Sequence, residues 1–325
     1  MKDMHLVHDI TSKDLLQEAT RTGFGRGLLK AGQVDERVVA LCADLTDSTK
    51  MDAFAKAFPE RFIEIGVAEQ NLVTVGSGMA AMGKIPFVSS YAAFSPGRNW
   101  EQIRTTICLN DQPVKVVGSH AGVSVGPDGA THQMLEDIGL MRILPNMIVV
   151  NPGDSIEAEK ATLALAKINS PAYLRLARAD TAVFTTQDTP FEIGKAQVFA
   201  EGQDITIIST GPMTYQALVA AEKLYKDGID AEVIHCPTIK PLDAVTILRS
   251  AKKTGKVITI EEGQIAGGLG SAVAEFLSEH QPTPVYRIGM KDRFGESGEP
   301  DELLEHFGLT ARNIVVMAHK ITGGA

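Results

Sequence analysis

Residues 61–83 read Arg61-Phe-Ile-Glu-Ile-Gly-Val-Ala-Glu-Gln-Asn-Leu-Val-Thr-Val-Gly-Ser-Gly-Met-Ala-Ala-Met-Gly. The apolar run that ends at Gly66 predicts a strand, and the Gly- and Ala-rich stretch after it predicts a helix with Glu69 near its first turn. Gly76, Gly78 and Ala80 leave room for another backbone to approach, so this helix is a candidate subunit interface. Taken alone, Glu69 is a first-turn carboxylate favoured by the helix dipole. The same rhythm of short β-branched runs and longer helical stretches recurs at Arg37-Val-Val-Ala-Leu-Cys, Val114-Lys-Val-Val-Gly, Met147-Ile-Val-Val and Ala172-Tyr-Leu-Arg-Leu. That rhythm belongs to a parallel α/β sheet.

Beyond Arg178 the chain is polar, Thr-rich and without period to about Pro190, which reads as a linker. A second α/β unit follows, with strands expected at Ile205-Thr-Ile-Ile-Ser-Thr, Ala231-Glu-Val-Ile-His, Lys256-Val-Ile-Thr-Ile and Pro284-Val-Tyr-Arg-Ile. Helices are expected over 213–227, 243–253 and 269–280. The expected fold is two tandem parallel-sheet α/β domains, residues 1–183 and 184–325.

The 325 residues, 44% hydrophobic and 22% charged, suffice for two domains that each bury a core. A net charge of -9 argues against nucleic acid as a partner, while a local basic pocket for a small anion remains compatible with it. Residues 1–16 alternate charged and apolar side chains, and no run of about 18 apolar residues occurs, so neither a signal peptide nor a membrane span is expected. The cytoplasm is the expected location. Cys42, Cys108 and Cys236 stand far apart outside any metal-binding spacing, and are expected as reduced, mostly buried thiols.

Two glycine clusters bear on nucleotide binding: Gly23-Phe-Gly-Arg-Gly and Gly267-Gly-Leu-Gly. The first lies within a helical pattern over 15–29, where close helix packing explains it. The second opens a helix after Glu261-Glu262 but lacks the dinucleotide spacing, so a tight turn is the expected role. A third glycine-rich stretch, Gly118-Ser-His-Ala-Gly-Val-Ser-Val-Gly-Pro-Asp-Gly-Ala-Thr-His-Gln, follows a strand, where α/β enzymes place ligand contacts. His120 and His132 are too widely spaced for a local metal pair, and hydrogen bonding to substrate is the preferred reading.

Taken in order, Asp44-Leu-Thr-Asp-Ser-Thr, Gly66-Val-Ala-Glu-Gln-Asn, Pro86-Phe-Val-Ser-Ser-Tyr, Ser119-His-Ala-Gly, Asp128-Gly-Ala-Thr-His-Gln, Arg142-Ile-Leu-Pro-Asn-Met, Leu176-Ala-Arg, Ile239-Lys-Pro-Leu-Asp, Gly267-Gly-Leu-Gly-Ser-Ala and Phe294-Gly-Glu-Ser-Gly resemble transketolase over nearly the whole chain. The resemblance implies a pyrimidine-binding domain followed by a transketolase C-terminal domain. A complete transketolase also carries a domain that binds the diphosphate of thiamine diphosphate through Mg²⁺, using Gly-Asp-Gly and a later Asn. This sequence contains no Gly-Asp-Gly. It therefore resembles the C-terminal subunit of a split enzyme, expected as a homodimer within an α2β2 assembly with a separate N-terminal, diphosphate-binding subunit.

Carried onto these positions, the resemblance gives Glu69 the role of the carboxyl that exchanges a proton with N1′ of the aminopyrimidine. Tyr91 and Phe94 match the aromatic lining of the pyrimidine pocket, and Asp44 lies in the segment near the cofactor. Asp128 matches the contact to a donor hydroxyl, and His132 the group near the reacting oxygen. Arg21, Ser48, His120 and Arg178 match the grip on a sugar phosphate, a task suited to forked guanidinium donors. No metal ligand is expected on this chain itself. Pro127 and Gly263 depart from the family pattern, and no direct chemistry is expected of the C-terminal domain in which Gly263 lies. The competing readings are a deoxyxylulose-phosphate synthase, which has a different motif where Ser119-His-Ala-Gly stands here, and the β subunit of a 2-oxoacid dehydrogenase, which lacks the Asp-Gly-Ala-Thr-His-Gln loop. A non-catalytic regulatory or scaffold subunit is the alternative of another class.

Overall fold

Strand Val38–Cys42 is buried along its whole length, as are Ile205–Ser209 and Ala231–His235, the pattern of strands covered on both faces. The computed structural model describes residues 5–323. Residues 1–4 and 324–325 lie outside the described residues, and with them the outermost positions of the two expected domains and the beginning of the segment read as lacking a signal peptide.

The strands form two principal sheets. The seven-stranded sheet has the order Thr238–Lys240, Ile148–Val150, Ala172–Arg175, Lys115–Ser119, Ile85–Tyr91, Val38–Cys42, Phe62–Glu64, all parallel except the first. The five-stranded sheet has the order Val285–Met290, Val257–Gln264, Ile205–Ser209, Ala231–His235, Gln197–Ala200, with only the last antiparallel. The two parallel α/β units read from the sequence are thus present, each finished at one edge by an antiparallel strand. Thr238–Lys240 leaves the second unit to cover an open edge of the first sheet, which would otherwise present unpaired backbone groups.

Apolar side chains continue the two units into one body. One face of the first sheet packs Leu41, Val88 and Val116 against Leu72, Ile103 and Met141, and this core runs on into Ile208, Ile234 and Val257 of the second sheet. The other face buries Phe24, Leu28, Phe54 and Leu165 beneath helices Thr20–Val34 and Ser155–Leu165. Cys42, Cys108 and Cys236 are buried and unpaired.

Local signals explain most element ends. Asp154 and Asp243 cap helices Ser155–Leu165 and Ala244–Thr254 by accepting from the N–H groups of Glu157 and Thr246. The helical pattern over 15–29 needs correction: Gln17–Glu18 is extended and pairs with Thr181–Ala182 inside the expected linker, and the helix spans Thr20–Val34. The Ala19 N–H is held by Asp180 Oδ1 at 3.1 Å, a long-range contact that keeps the chain extended to that point. Strand Ile85–Tyr91 escaped periodicity because Pro86 and the serine pair dilute its apolar signal.

The glycines of Gly23-Phe-Gly-Arg-Gly serve helix packing, as their place in a helical pattern implied. A Cβ on Gly23 would overlap the Ser155 carbonyl oxygen, and one on Gly27 would crowd Thr162 and the Glu159 carbonyl. Gly23→Ala is therefore expected to force the two helices apart and to lower unfolding free energy by about 1–3 kcal/mol, read as a lower urea midpoint with unchanged slope.

Candidate active site

The carboxyl ends of parallel strands collect the turns where α/β proteins bind ligands. Here the turn after Val38–Cys42 carries Asp44 and Ser48, that after Phe62–Glu64 carries Glu69, that after Ile85–Tyr91 carries Phe94, that after Lys115–Ser119 carries His120 and His132, and that after Ala172–Arg175 carries Arg178. Helix Thr20–Val34 begins at the same edge and brings Arg21 in its first turn.

Arg21, Ser48, His120 and Arg178 come together. Arg21 Nη1 donates to the Ser48 carbonyl at 2.7 Å and lies 3.4 Å from His120 Nε2. Because a guanidinium has no acceptor, this contact leaves Nε2 bare, and Nδ1–H donates to Ser119 Oγ at 2.9 Å. Burial, with Arg21, Arg178, His132 and Lys50 close by, drives the His120 pKa down from 6.5 to about 3, so its ring is neutral. Burial and then Arg178 push the Arg21 guanidinium below its ordinary range. Among the described residues, the buried Arg21 Nε has no partner. A cation in a helix's first turn beside a second guanidinium is unfavourable by itself, and an anion between them would relieve it.

Aromatic rings connect this basic corner to the surroundings of Glu69. Tyr91 stacks on His120 with centroids 3.8 Å apart, and the Tyr91 and Phe94 rings lie 6.0 Å apart. His132 meets Phe94 edge-on at 5.4 Å, and Thr131 Oγ1 lies 2.9 Å from its Nδ1. Glu69 is the first residue of helix Glu69–Ala81 and only 2% exposed. Arg98 Nη1 donates to its Oε2 at 2.7 Å, and the same guanidinium lies 4.7 Å from the Phe94 ring centroid. Asn99 Nδ2 donates to the Glu69 carbonyl at 2.8 Å, holding the start of the helix.

Asp44 and Asp128 are exposed, and no side-chain hydrogen bond among the described residues ties either carboxylate to the others. Asp44 adopts φ 58°, and its N–H donates to Glu64 Oε1 at 2.7 Å. Glu64 also accepts from Thr46 Oγ1 and the Gly66 N–H, joining the Asp44 turn to the segment that leads into Glu69. No group of three or more His, Cys, Asp or Glu side chains among the described residues is disposed to hold a metal ion.

Sequence reading missed Arg98, Glu64, Gln133 and Glu262. Gln133 Nε2 donates to the carbonyls of Val123, Gly126 and Glu296, bracing the loop that holds His132. The C-terminal domain reaches the same loop structurally, since Glu262 accepts from the Ser124 N–H at 2.7 Å within it. A cation following Phe94-Ser-Pro-Gly and an acidic pair closing an apolar strand were the available signals.

Gly267-Gly-Leu-Gly forms the expected turn, and the start of the helix that follows is already occupied. Glu261 accepts from the N–H groups of Leu269 at 2.7 Å and Gly270 at 2.8 Å, so the chain's own carboxylate fills the helix-terminus anion position. Burial pushes that carboxyl up to about 7.

Comparison with known proteins identifies the family. The family model for the transketolase pyrimidine-binding domain matches residues 17–182, and that for the transketolase C-terminal domain matches residues 194–314. The chain is 44% identical over 295 residues to the 6-deoxy-6-sulfo-D-fructose transketolase subunit of Clostridium sp. (strain MSTE9), covering 91% of this chain and 92% of that one. It is 43% identical over 297 residues to a putative transketolase C-terminal section of Methanocaldococcus jannaschii, covering 90% and 93%. A solved structure described as a split gene transketolase, inactive beta4 tetramer, superposes with a TM-score of 0.88 at 46% identity, covering 94% of this chain and 99% of that chain. The chain belongs to the transketolase family and carries its pyrimidine-binding domain followed by its C-terminal domain.

Proposed function

We propose that this chain provides the cofactor-activating carboxyl and the sugar-phosphate grip of a two-chain transketolase, which moves a two-carbon ketol unit from a ketose phosphate to an aldose phosphate. The observation that carries the proposal is the convergence of Glu69 with Arg21, His120 and Arg178 on one sheet edge of the transketolase fold. The division into residues 1–183 and 184–325 is supported by the extents of the two family matches.

The residues fit thiamine diphosphate. Glu69 Oε1 makes no hydrogen bond among the described residues, and the Phe94 ring belongs to the same cluster, so an acceptor and an aromatic face are available to an aminopyrimidine. When bound, the cofactor supplies a carbon nucleophile and an electron sink for cleavage beside a carbonyl. Glu69 holds or gives the proton at N1′, and Arg98 fixes the direction of its carboxylate. Tyr91 and Phe94 line the pocket, with Asp44 at its rim. His132 stands near the reacting oxygen, and Asp128 contacts a donor hydroxyl. The orphaned Arg21 Nε and the Arg178 guanidinium grip phosphate, with Ser48 and neutral His120 completing the cradle.

We assign the diphosphate and its Mg²⁺ to a separate N-terminal subunit, as the Gly-Asp-Gly motif that would hold them is not among these 325 residues and similar proteins are named as subunits. The words "subunit", "section" and "split gene" in the names of similar proteins support that division, and a homodimer of this chain inside an α2β2 complex is the assembly we favour. Among the described residues no helix is long and apolar enough to cross a membrane, and we place the enzyme in the cytoplasm.

Three outcomes test this reading. In the assembled enzyme, Glu69→Gln is expected to slow exchange of the thiamine C2 proton into D₂O, and kcat, by about 10² to 10⁴-fold while cofactor occupancy persists; unchanged exchange would remove Glu69 from the activating role. Arg178→Ala is expected to raise KM for xylulose 5-phosphate about tenfold or more with little change in kcat, and to leave KM for hydroxypyruvate unaltered. Equal losses on both donors would place Arg178 elsewhere.

The third concerns His120. Its folded pKa of about 3 lies below the ordinary 6.5, so the unfolded chain takes up a proton that the native one refuses. The stability it contributes is present above pH 6.5 and lost as pH falls toward 3. Urea unfolding at pH 7 and pH 5 should show the parent losing about 2 kcal/mol more than His120→Gln over that interval.

A further inference from the structure

The loop that carries His132 is held from the second domain at two separate places. Glu262, in strand Val257–Gln264, is 3% exposed, and its Oε1 accepts from the Ser124 N–H at 2.7 Å. Gly122 makes room for this carboxylate, since it adopts φ 88° and a Cβ there would overlap Glu262 Oε1. The second hold is Gln133, which donates to the Glu296 carbonyl at 2.8 Å as well as to the Val123 and Gly126 carbonyls.

Ser124 is the middle residue of the short turn Val123–Val125. Arg178 Nη1 donates to the carbonyl of Val125 at 2.8 Å, which makes that turn its aiming point. Three residues before Arg178, Arg175 Nη2 donates to the Glu262 backbone carbonyl at 2.7 Å and its Nε to Asp137 at 2.8 Å. Glu262 is thereby placed by the strand that leads into Arg178, and in turn places the carbonyl on which Arg178 rests. Burial raises the Glu262 carboxyl above its ordinary range, so a neutral acceptor of the same shape suits the position.

We propose that Glu262 of the C-terminal domain is a positioning residue for the sugar-phosphate grip, setting the direction of Arg178 by anchoring the Val123–Val125 turn. This rests on the reading that Arg178 binds the substrate phosphate. Glu262 touches neither substrate nor cofactor, so its removal acts on phosphate affinity and leaves cofactor activation intact. Glu262→Gln retains an oxygen for the Ser124 N–H, whereas Glu262→Asp draws the acceptor back by one methylene and Glu262→Ala removes it.

The experiment is steady-state kinetics of the assembled two-chain enzyme with xylulose 5-phosphate and with hydroxypyruvate, alongside circular dichroism. Glu262→Ala and Glu262→Asp are expected to raise KM for xylulose 5-phosphate about tenfold, as loss of one hydrogen bond to a charged group does. KM for hydroxypyruvate and C2-proton exchange stay at parental values, and Glu262→Gln restores phosphate affinity. Adding Glu262→Asp to Arg178→Ala is expected to cost little further, because both act through one contact. The proposal is overturned if KM rises equally for both donors, if the Gln variant behaves like the Ala variant, if the two substitutions add fully, or if neither Ala nor Asp variant folds. If Arg178→Ala itself shows no preference for the phosphorylated donor, it is the underlying phosphate assignment that fails.

Discussion

The buried guanidinium of Arg175 holds the two domains in the relation that the site needs. It ends the strand Ala172–Arg175, is 3% exposed, and donates to the Asp137 carboxylate and to the Glu262 backbone carbonyl across the domain boundary. Tyr173 adds its hydroxyl to the same Asp137 oxygen at 2.7 Å. In a low-dielectric interior a charge is tolerated only when paired and hydrogen-bonded, and breaking such a pair costs about 3–5 kcal/mol. This cluster therefore restricts how the domains can dock, and the restriction reaches the loop that carries His132 through Glu262 and Ser124.

Repulsion between like charges explains why the basic corner is assembled at a cost to stability. Arg21 and Arg178 repel, both act on His120, and the fold keeps that imidazole neutral. Backbone strain accumulates at the same edge, where Asp44, Lys50 and His120 adopt φ of 58°, 62° and 57°. Left-handed conformations cost non-glycine residues about 1–3 kcal/mol each and persist where the surroundings impose them. Around an anion the repulsion is relieved, since the guanidiniums gain a partner.

Glu69 and Glu261 show how environment separates two similar groups. Both are buried carboxyls beside the start of a helix. Glu261 spends both oxygens on backbone N–H groups of its own domain and is structurally complete. Glu69 shares one oxygen with Arg98, and the other makes no hydrogen bond among the described residues. An unused acceptor next to an aromatic ring distinguishes the carboxyl proposed to activate the cofactor from the supporting one.

Much of this was legible from the sequence because short-range physics decides it. Apolar periodicity located strands such as Ala231–His235 and helices such as Leu269–His280, the glycines in Gly23-Phe-Gly-Arg-Gly read as helix packing, and the order of motifs pointed to the family. Glu69 was placed at the start of its helix by the strand and turn before it. Tertiary structure alone decided what depends on sheet order: Thr238–Lys240 crossing to the first sheet, Arg21 meeting His120 from 99 positions away, and Glu262 reaching Ser124 from 138. Local preferences carry no information about such meetings, because the periodicity that makes a strand is the same whichever neighbour it pairs with. Pairing of whole strands is set by the burial of entire faces, and only that collective choice brings the side chains of distant turns to one edge.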